Sequence, residues 1–505
     1  MFIVDSLFVL NRSDRKKKEN YMNDNLKEMP SLTLKNIAKV CDGIYVGEAK
    51  LQEKIICGAV IDSRLVEKDY LFIPIKGERV DGHTFIPQVF EKGAACVLSE
   101  MDLEHPAGPY IKVASTETAL KRIAAFYRQQ LSIKVVGITG SVGKTSTKEM
   151  ISSVISQKYN VHKTAGNFNN EIGLPLTVFG IRAEHEVAIL EMGISDFNEM
   201  HRLSMVANPD ICVITNIGLC HLENLGTRDG ILQAKTECFE HMKEGGLAIL
   251  NGDDDKLSTK KEVNGRATVF YGIGAKPQID HTGISMAAKE IYATDVVNLG
   301  FEGMSAVIHT PQGAFEGQIT IPGEHNVYNA LAATAVGLEL GLSLEEIQTG
   351  IKEAKTIAGR TNLIKANGYN VIDDCYNANP VSMGAALDVL SHAKGRTIAV
   401  LGDMGELGEE EKELHFGVGK CIAEKKIHTL FCAGTLAAEY KKGVESVPVE
   451  EKDRCQVFYY KQRDDMIDIL LSYVKEGDNI LIKASHFMDF PKVVEALTNK
   501  EKRNL

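Results

Sequence analysis

A glycine-rich loop lies in this sequence between an apolar run and an amphipathic stretch, and it leaves few folds open to the chain. The segment reads KVVGITGSVGKTSTKEMISSVI over residues 134–155. The apolar run predicts a buried strand, and the spacing of Met150, Ile151 and Val154 predicts a helix. Glycines let the backbone turn tightly with its N–H groups pointing inward, and a helix N-terminus adds positive potential. The pattern therefore predicts a strand–loop–helix unit that binds phosphate.

The loop departs from the general phosphate-loop pattern G-x-x-x-x-G-K-[ST], because Ile138 stands where the first glycine is expected. The alternative is a glycine-rich turn that happens to precede a lysine. Since strand, loop and helix follow in order, we favour binding of an ATP-type phosphate, with Lys144 as the point charge and the Thr145 hydroxyl on Mg²⁺. The predicted nucleotide-binding residues are Gly137, Ile138, Thr139, Gly140, Ser141, Val142, Gly143, Lys144, Thr145 and Ser146.

Strand patterns alternate with helix patterns along most of the chain, which predicts an α/β fold in three domains. We expect a small α/β domain over 31–132, a central P-loop ATPase-like domain over 133–357 and a C-terminal Rossmann-like domain over 358–505. The central sheet is predicted to be mostly parallel, with antiparallel strands appended over 267–322. Residues 1–30 are expected to be a poorly ordered extension, because their basic run follows the apolar run and so does not resemble a secretory signal.

Composition argues against several classes of protein. The 505 residues carry a formal net charge of −11, which disfavours a general nucleic-acid or anionic-membrane surface. No apolar run reaches the roughly 18 residues needed to cross a bilayer, so we expect no membrane insertion. The ten cysteines include no C-x-x-C pair, which favours reduced thiols in the cytoplasm over disulfides or a zinc site. We also expect a monomer.

Polar residues gather where predicted strands end, which is where open α/β sheets bind ligands. Glu191 ends one strand, and His221 and Lys235 follow the next one. A carboxylate at this place suits either Mg²⁺ or plain solvation, and a lone histidine or lysine is normally a surface residue. Two asparagine-rich segments can bind a polar ligand or simply cap a helix. The dense cluster DDCYNANP over 373–380 favours a binding site.

Taken together, these segments resemble the Mur ligases, the ATP-dependent amide-forming enzymes of bacterial cell-wall precursor synthesis. The motifs occur in the family's order from residue 31 onward: TGSVGKTS, EMG, TNIG-x-x-HLE, AKTE, EHN-x-x-NALAA and DDCYNANP. DDCYNANP and VLGDMGELG resemble the branch that adds D-alanyl-D-alanine to a UDP-N-acetylmuramoyl-tripeptide. The D-N-P-R signature of the diaminopimelate-adding branch is absent, and folylpolyglutamate synthase shares the fold but lacks DDCYNANP.

The resemblance implies ATP and Mg²⁺ as cofactors, the UDP-tripeptide and D-alanyl-D-alanine as substrates, and an acyl-phosphate intermediate. The implied catalytic residues are Lys144, Lys235, His221, Glu191 and Arg360. Implied ATP contacts outside the loop are Asn326, Asn329, Arg360 and Asp374. Implied metal ligands are Thr145, Glu191, His221 and a carbamylated Lys235. Implied substrate contacts are Ser63, Arg64, Thr164, Asn167, Asn169, Asn170, Tyr376, Asn377 and Asn379.

One segment departs from the family pattern. The family usually reads K-G-S-R-x-M-x-M-E near its end, whereas residues 483–491 read KASHFMDFP. Either His486 takes the role of the absent arginine or the dipeptide specificity is altered. Two rival functions are left open. One is another Mur-type ligase or a folylpolyglutamate synthase, and the other is a nucleotide-binding regulatory or scaffold protein that has lost ligation.

Overall fold

A computed structural model of this chain describes Met29 and residues 31–77, 79–275 and 287–499. The chain separates into two units, which divide between Gln130 and Leu131. The predicted extension, residues 1–30, lies outside the described residues except for Met29, so its disorder stays a prediction. The domain boundaries predicted at 132 and 357 stay predictions as well.

The first unit is a five-stranded sheet with helices, as the mixed α/β pattern predicted. Its strands are β1 (Ile44–Val46), β2 (Gly58–Val60), β3 (Tyr70–Phe72), β4 (Cys96–Ser99) and β5 (Tyr110–Lys112), and its helices are α1 (Leu34–Val40), α2 (Ile86–Glu91) and α3 (Thr116–Gln129). The order is β1-β5-β4-β3-β2, in which β1 runs antiparallel to β5 and the other neighbours pair in parallel. α3 buries Leu120, Ile123 and Tyr127, the spacing of one helix face.

The second unit begins with the strand that carries the phosphate loop. This strand, β6 (Lys134–Thr139), is buried from Val135 onward, as expected for a parallel strand covered on both faces. The strands that follow are β7 (Val161–Lys163), β8 (Val187–Glu191), β9 (Ile211–Ile214), β10 (Leu247–Asn251), β11 (Glu262–Val263), β12 (Arg266–Ala267), β13 (Val269–Ile273), β14 (Ile291–Asn298), β15 (Met304–Thr310) and β16 (Gly313–Ile319). β6 and eight of these strands form a nine-stranded sheet in the order β16-β15-β14-β13-β10-β9-β6-β8-β7, and β11 pairs with β12. β6 therefore lies between β8 and β9.

The helices of this part are α4 (Lys144–Ile155), α5 (Gly173–Phe179), α6 (Glu199–Ala207), α7 (Leu222–Leu225), α8 (Arg228–Thr236), α9 (His325–Glu339) and α10 (Leu344–Glu353). α9 is rich in alanine, and small side chains let it approach α4 closely. Met150 and Val154 of α4 belong to the same buried cluster as Val327 and Leu331 of α9. This packing holds the helix that begins at the phosphate loop.

The prediction of appended antiparallel strands over 267–322 is partly wrong. β13 pairs in parallel with both β10 and β14, whereas β15 pairs antiparallel with β14 and β16. The connection from β13 to β14 is long enough for a crossover, although much of it, residues 276–286, is outside the described chain. Only Pro311 and Gln312 separate β15 from β16, and so short a connection requires an antiparallel pair.

The C-terminal part is a second sheet covered by helices on both faces. Its strands are β17 (Asn362–Ala366), β18 (Tyr369–Asp373), β19 (Thr397–Gly402), β20 (Thr429–Ala433), β21 (Gln456–Tyr460) and β22 (Asn479–Lys483). The helices are α11 (Pro380–Ser391), α12 (Glu411–Glu424), α13 (Ala437–Ser446), α14 (Arg463–Tyr473) and α15 (Pro491–Thr498). The order is β17-β18-β22-β19-β20-β21, parallel except for the β17–β18 pair. The predicted Rossmann-like layer is confirmed. Among the helices of the described residues, none is both long and apolar enough to cross a bilayer.

Candidate active site

The phosphate loop lies at the carboxyl end of β6, and its geometry requires two of its glycines. Gly140 has a φ of 147°, and a Cβ there would lie 1.9 Å from Thr215 Oγ1. Gly143 has a φ of 87° and directly precedes α4. Side chains rarely tolerate such angles, so glycine is needed at both positions. The loop thereby brings the first amides of α4, which have no acceptor within the helix, to the edge of the sheet.

Asn216 holds this loop in shape and was not singled out from the sequence. Its Oδ1 accepts a hydrogen bond from Val142 N at 3.0 Å, and its Nδ2 donates to Val142 O at 2.9 Å. Its backbone oxygen accepts from Ser141 N at 3.0 Å, while Thr215 Oγ1 donates to Val142 O at 2.6 Å. The available signal was the pair of polar residues that follows β9, the neighbour of β6 in the sheet.

Lys144 folds back over the loop that precedes it. Its Nζ donates to Gly140 O at 2.8 Å and to Ser141 O at 3.4 Å. Burial lowers the pKa of this ammonium group from its ordinary value. The ammonium is therefore held at the loop by neutral carbonyl groups, and an anionic phosphate would be a stronger partner.

Glu191 lies beside the loop because β8 pairs in parallel with β6, with Glu191 opposite Ile138. Thr145 Oγ1 donates to Glu191 Oε1 at 3.1 Å, and Asn169 Nδ2 donates to the same oxygen at 2.8 Å. Thr164 Oγ1 accepts from Glu191 N at 2.9 Å. The sheet register thus unites four residues that the sequence placed in three separate motifs.

Lys148 is a second cation at this place that the sequence analysis missed. It is buried on α4, one turn beyond Lys144, and its Nζ lies 3.5 Å from Glu191 Oε2. Nζ also donates to Thr164 O at 2.7 Å and lies 3.3 Å from Glu149 Oε1. A lysine on the core-facing side of a predicted helix was the signal that could have found it.

Lys235 is fully buried in α8 and makes no hydrogen bond through Nζ within the described residues. The pKa of this amine is lowered to about 8, chiefly by burial and in part by the nearby charge of Lys144. Leaving an ammonium group buried without a partner is costly, so burial increases the fraction of neutral amine at a given pH. Lys235 is therefore a chemically unusual lysine near the phosphate loop.

His221 follows β9, but its ring meets a partner from the C-terminal part of the chain. His221 Nδ1 lies 2.8 Å from Glu406 Oε2, and this pairing lowers the pKa of Glu406. Both residues have positive φ angles, 51° and 59° respectively. The described contacts of His221 therefore involve Glu406, and its implied role as a metal ligand stays a prediction.

Arg360 reaches the phosphate loop from the segment before β17. Its Nη2 donates to Thr145 Oγ1 at 3.4 Å, and its guanidinium carbon lies 3.9 Å from the centroid of the Tyr376 ring. Burial raises the pKa of Tyr376, against the opposing effects of Arg360 and of hydrogen bonds with Asn167 and Arg360. Arg360 Nε is buried without a hydrogen-bond partner in the described chain. The two regions therefore share one site.

Asp373, the last residue of β18, and Asp374, which follows it, hold the segment that bears Arg360. Asp373 Oδ2 accepts from Gly359 N at 2.8 Å, and Asp374 Oδ1 accepts from Thr361 N at 3.0 Å. Asp374 Oδ2 forms an ion pair with Lys483 Nζ at 2.6 Å. Asp374 therefore positions the neighbour of Arg360, and the implied contact between Asp374 and ATP stays a prediction.

Asn326 and Asn329 link α9 to the helix of the phosphate loop. Asn329 Nδ2 donates to Asn326 Oδ1 at 2.8 Å, and Asn329 Oδ1 accepts from Thr147 Oγ1 at 2.7 Å. A small, partly open cavity lies beside them. It is lined by Ser146, Glu149, Ile321, Asn326, Lys355, Thr356, Ile357, Arg360 and Thr361. This cavity lies next to the loop, where the rest of a nucleotide would extend.

Several predicted substrate contacts make local hydrogen bonds. Asn170 Oδ1 accepts from Gly173 N at 2.8 Å at the start of α5, and Asn379 forms a capping box with Ser382 at the start of α11. Asn377 Oδ1 accepts from Ala378 N at 2.9 Å. The capping alternative is thus realised at Asn170 and Asn379, and contacts of these residues with substrate stay predictions.

Ser63 and Arg64 belong to the first unit, whereas the phosphate loop belongs to the second. They form a short 3₁₀ turn in which Asp62 accepts from Arg64 N at 2.9 Å and pairs with the guanidinium at 2.7 Å. Ser63 O accepts from Lys92 Nζ at 2.8 Å. The turn displays an exposed arginine, and the predicted uridine-nucleotide site stays a prediction.

The divergent segment 483–491 lies next to Tyr376. Ser485 Oγ accepts from Gly405 N at 2.9 Å, and the ring of His486 has its centroid 5.9 Å from that of Tyr376. Phe487 is 63% exposed. An imidazole thus stands beside the cluster formed by Arg360 and Tyr376, where the family pattern has an arginine.

Comparison with known proteins agrees with this geometry. Residues 138–337 match the Mur ligase middle domain, residues 359–486 match the "Mur ligase, glutamate ligase domain", and residues 56–129 match the "Mur ligase family, catalytic domain". UDP-N-acetylmuramoyl-tripeptide–D-alanyl-D-alanine ligase of Bacillus subtilis (strain 168) is 39% identical over 470 residues, which cover 92% of this chain and 98% of that protein.

Solved structures agree as well. MurF from Acinetobacter baumannii is similar with a TM-score of 0.81 and 31% identity, over 93% of this chain and 99% of that one. MurF ligase from Thermotoga maritima, solved in complex with ADP, has a TM-score of 0.74 and 29% identity over 87% and 96% of the two chains. The domains matched and the extent of these similarities mean that the chain belongs to the Mur ligase family of ATP-dependent ligases.

Proposed function

We propose that this chain forms the amide bond between the terminal carboxylate of a UDP-N-acetylmuramoyl-tripeptide and D-alanyl-D-alanine, with ATP as the energy source. The proposal is carried by the reach of Arg360 to Thr145, because it joins the C-terminal cluster and the phosphate loop in one site. The relative from Bacillus subtilis, whose name states this reaction, supports the substrates. The rival ligases and the scaffold protein lack a comparable observation.

The chemistry is set by the low reactivity of carboxylates. The γ-phosphoryl group of ATP is transferred to the tripeptide carboxylate, and the resulting acyl phosphate is attacked by the dipeptide amine, after which phosphate leaves. Lys144 and the first amides of α4 would hold the phosphate chain and balance the charge that develops during transfer. Arg360, stacked on Tyr376 and in contact with Thr145, would add positive charge at the loop. Positioning and electrostatics therefore replace a protein nucleophile.

The residues at the loop fit a magnesium ion. The Thr145 hydroxyl and the Glu191 carboxylate are oxygen donors 3.1 Å apart, and Glu191 Oε2 makes no hydrogen bond within the described residues. Hard oxygen ligands are what Mg²⁺ prefers. When bound there, the ion would neutralise the phosphate oxygens. Lys148, whose Nζ lies 3.5 Å from Glu191 Oε2, would balance part of the negative charge of that carboxylate.

Lys235 is proposed to act as a carbamate. Because burial lowers the pKa of its amine to about 8, a useful fraction is neutral near physiological pH and can attack CO₂. The amine nitrogen forms a bond to the carbon of CO₂, and the electron pair of one C=O π bond moves onto its oxygen. The nitrogen then loses a proton to water. The product is an anion that, unlike the bare amine, can ligate a second metal ion, with His221 as a further ligand once it leaves Glu406.

The remaining predicted residues are assigned to substrates. Ser63 and Arg64 are proposed to bind the uridine nucleotide, since Arg64 is an exposed cation suited to a diphosphate. Tyr376, with His486 close to its ring, is proposed to lie at the dipeptide. The cavity lined by Asn326 is proposed to take the nucleoside of ATP. We also propose action in the cytoplasm, because ATP is available there and all ten cysteines are free thiols. The monomeric state stays a prediction.

A reconstituted ligation assay tests the proposal. Purified chain, ATP and Mg²⁺ are mixed with UDP-tripeptides and D-alanyl-D-alanine, and both ADP release and the amide product are followed. We expect ADP release to require both organic substrates. ADP formed at full rate with either one omitted, or product formed only from folate substrates or a different amino acid, would contradict the proposal.

The Lys144→Ala variant tests whether the chain acts as an enzyme or as a nucleotide-binding scaffold. Removing the ammonium group is expected to lower the ligation rate at least about 10²-fold, because one lost donor to a transition-state charge typically has this effect. Lys412→Ala is the matched control, since Lys412 is also a lysine in the first turn of a helix but is exposed. A Lys144→Ala chain that kept its cellular effect without ligation would favour the scaffold.

A further inference from the structure

Two histidines and a glutamate lie together in the second unit, and none of them belongs to the candidate active site. His201 is on α6, whereas Glu240 and His241 follow the 3₁₀ turn that ends α8. One ring nitrogen of each histidine and one carboxylate oxygen of Glu240 all lie within 4.8 Å of one another. Two imidazoles and a carboxylate in one group are a typical ligand set for transition metals.

The three side chains are close to the geometry that an ion would need. His201 Nδ1 lies 2.5 Å from Glu240 Oε2, and the rings of His201 and His241 meet edge to face with centroids 4.7 Å apart. Ligands at about 2.0–2.1 Å from a tetrahedral zinc ion lie roughly 3.3 Å from one another. Small rotations of side chains, without movement of the backbone, would therefore bring three donors onto one ion.

His241 adds an independent observation. Its Nε2 is buried and has no hydrogen-bond partner in the described parts of the chain. A buried ring nitrogen without a partner is costly unless something binds it.

The segments that carry these side chains are already tied together. The carboxylate of Glu237 accepts from Asn198 N at 3.2 Å and from His201 N at 3.1 Å, at the start of α6. Near the other end of α6, Asn208 Nδ2 donates to His241 O at 2.9 Å. The donors are thus held on a preformed scaffold, which lowers the entropic cost of binding an ion.

We propose that His201, Glu240 and His241 form a binding site for a divalent cation of the Zn²⁺ class, with water as a fourth ligand. Two nitrogen donors and one oxygen donor disfavour Mg²⁺, which requires oxygen ligands in an octahedron. This site is separate from the ligands proposed for the ligation reaction and does not rest on the proposed function. Binding would join α6 to the segment that follows α8, the helix that carries Lys235, and so stabilise that part of the fold.

Calorimetry on the full-length chain tests this site. Protein stripped with a chelator and dialysed is titrated with Zn²⁺ in excess Mg²⁺, so that oxygen sites remain occupied by Mg²⁺. A parallel titration with Co²⁺ reports tetrahedral nitrogen and oxygen ligation through its visible absorption. We expect one Zn²⁺ per chain at this site, and a thermal unfolding temperature that rises with Zn²⁺.

Single substitutions decide whether these residues hold the ion. His201→Ala, Glu240→Gln and His241→Ala are each expected to weaken Zn²⁺ binding at least about tenfold, since even indirect changes at metal sites often have effects of that size. His392→Ala is the matched control. His392 Nδ1 lies 3.8 Å from Asp388 Oδ2 at the end of α11, and within the described residues this pair belongs to no group of three close metal-ligand side chains.

Zn²⁺ binding by the His201→Ala and Glu240→Gln variants decides whether the site exists. His201 and Glu240 have side chains 45% and 51% exposed, so their variants are expected to fold even if His241→Ala does not. Loss of binding in both variants, with wild-type binding in His392→Ala, would support the site. Zn²⁺ titrations of Glu240→Gln and His201→Ala that match the wild type, or a wild-type chain that binds no Zn²⁺ in excess Mg²⁺, would overturn it.

Discussion

The guanidinium carbon of Arg360 lies 3.9 Å from the centroid of the Tyr376 ring, while its Nη2 reaches Thr145 Oγ1 at 3.4 Å. A planar guanidinium stacks well on an aromatic face, so the ring sets the direction from which Arg360 approaches the loop. The backbone strengthens this arrangement, because Tyr376 N donates to Gly359 O at 3.2 Å. Arg360, which precedes β17, and Tyr376, which follows β18, thus complete a site built on β6.

Tyr376→Leu should reduce kcat/KM for ATP by roughly 2- to 30-fold, which corresponds to the 0.5–2 kcal/mol of a cation–π contact. Tyr376→Phe is the matched control, because it keeps the aromatic face and loses only the hydroxyl with its hydrogen bonds to Asn167 and Arg360. The leucine variant should be less active than the phenylalanine variant, and that difference measures the stacking. Steady-state ligation rates at varied ATP measure both. Equal activity of the leucine variant and the wild type would mean that stacking does not position Arg360.

Removal of CO₂ should inactivate the enzyme if Lys235 works as a carbamate. Enzyme dialysed in CO₂-free buffer is expected to lose ligation activity and to regain it when bicarbonate is added, because the neutral buried amine can react again. Lys235→Arg is expected to be inactive in both conditions, since a guanidinium does not form the carbamate. Ligation activity that does not depend on bicarbonate would contradict a catalytic carbamate at Lys235.

Lys235 should also make the free energy of unfolding rise with pH. Its pKa falls from 10.5 in the unfolded chain to about 8 when folded, so between these values the unfolded state binds more protons and stability rises with pH. Relative to Lys235→Met, the unfolding free energy of the wild type in CO₂-free buffer should rise by about 3 kcal/mol across this window, at about 1.4 kcal/mol per pKa unit. The difference should be flat below pH 8. Denaturant unfolding at several pH values measures it, and a difference that falls with pH would contradict the burial of a neutral amine.

Two substitutions of Asn379 distinguish a role as a helix cap from a role as a substrate contact. Asn379→Ala should lower the unfolding free energy by about 1 kcal/mol, because the side chain accepts from Ser382 N at 2.9 Å. Asn379→Asp should preserve the cap and most of the stability. The KM for D-alanyl-D-alanine provides the second readout. An aspartate variant with normal stability but a raised KM would establish a substrate contact, and unchanged stability of the alanine variant would exclude the cap.

Local patterns predicted a good part of the fold. The run ending at Thr139, the glycines at 140 and 143 and the helix from Lys144 follow from short-range rules of burial, backbone angle and capping. The parallel sheets follow from alternation of strands and helices. The parallel pairing of β13 with β10 and β14 did not follow, because whether neighbouring strands run parallel depends on connections whose path the residues do not encode locally.

By itself the sequence determined the phosphate loop, the α/β layers and the family resemblance, since each depends on residues close together in the chain. Only the tertiary structure decided that Arg360 contacts Thr145 across 215 positions, that Asn216 holds the loop and that Lys235 has no partner within the described residues. The same applies to His201 and His241, which meet because α6 packs against the turn after α8. The physical reason is that strand order and helix packing set distances between remote segments, and burial and charge follow from those distances.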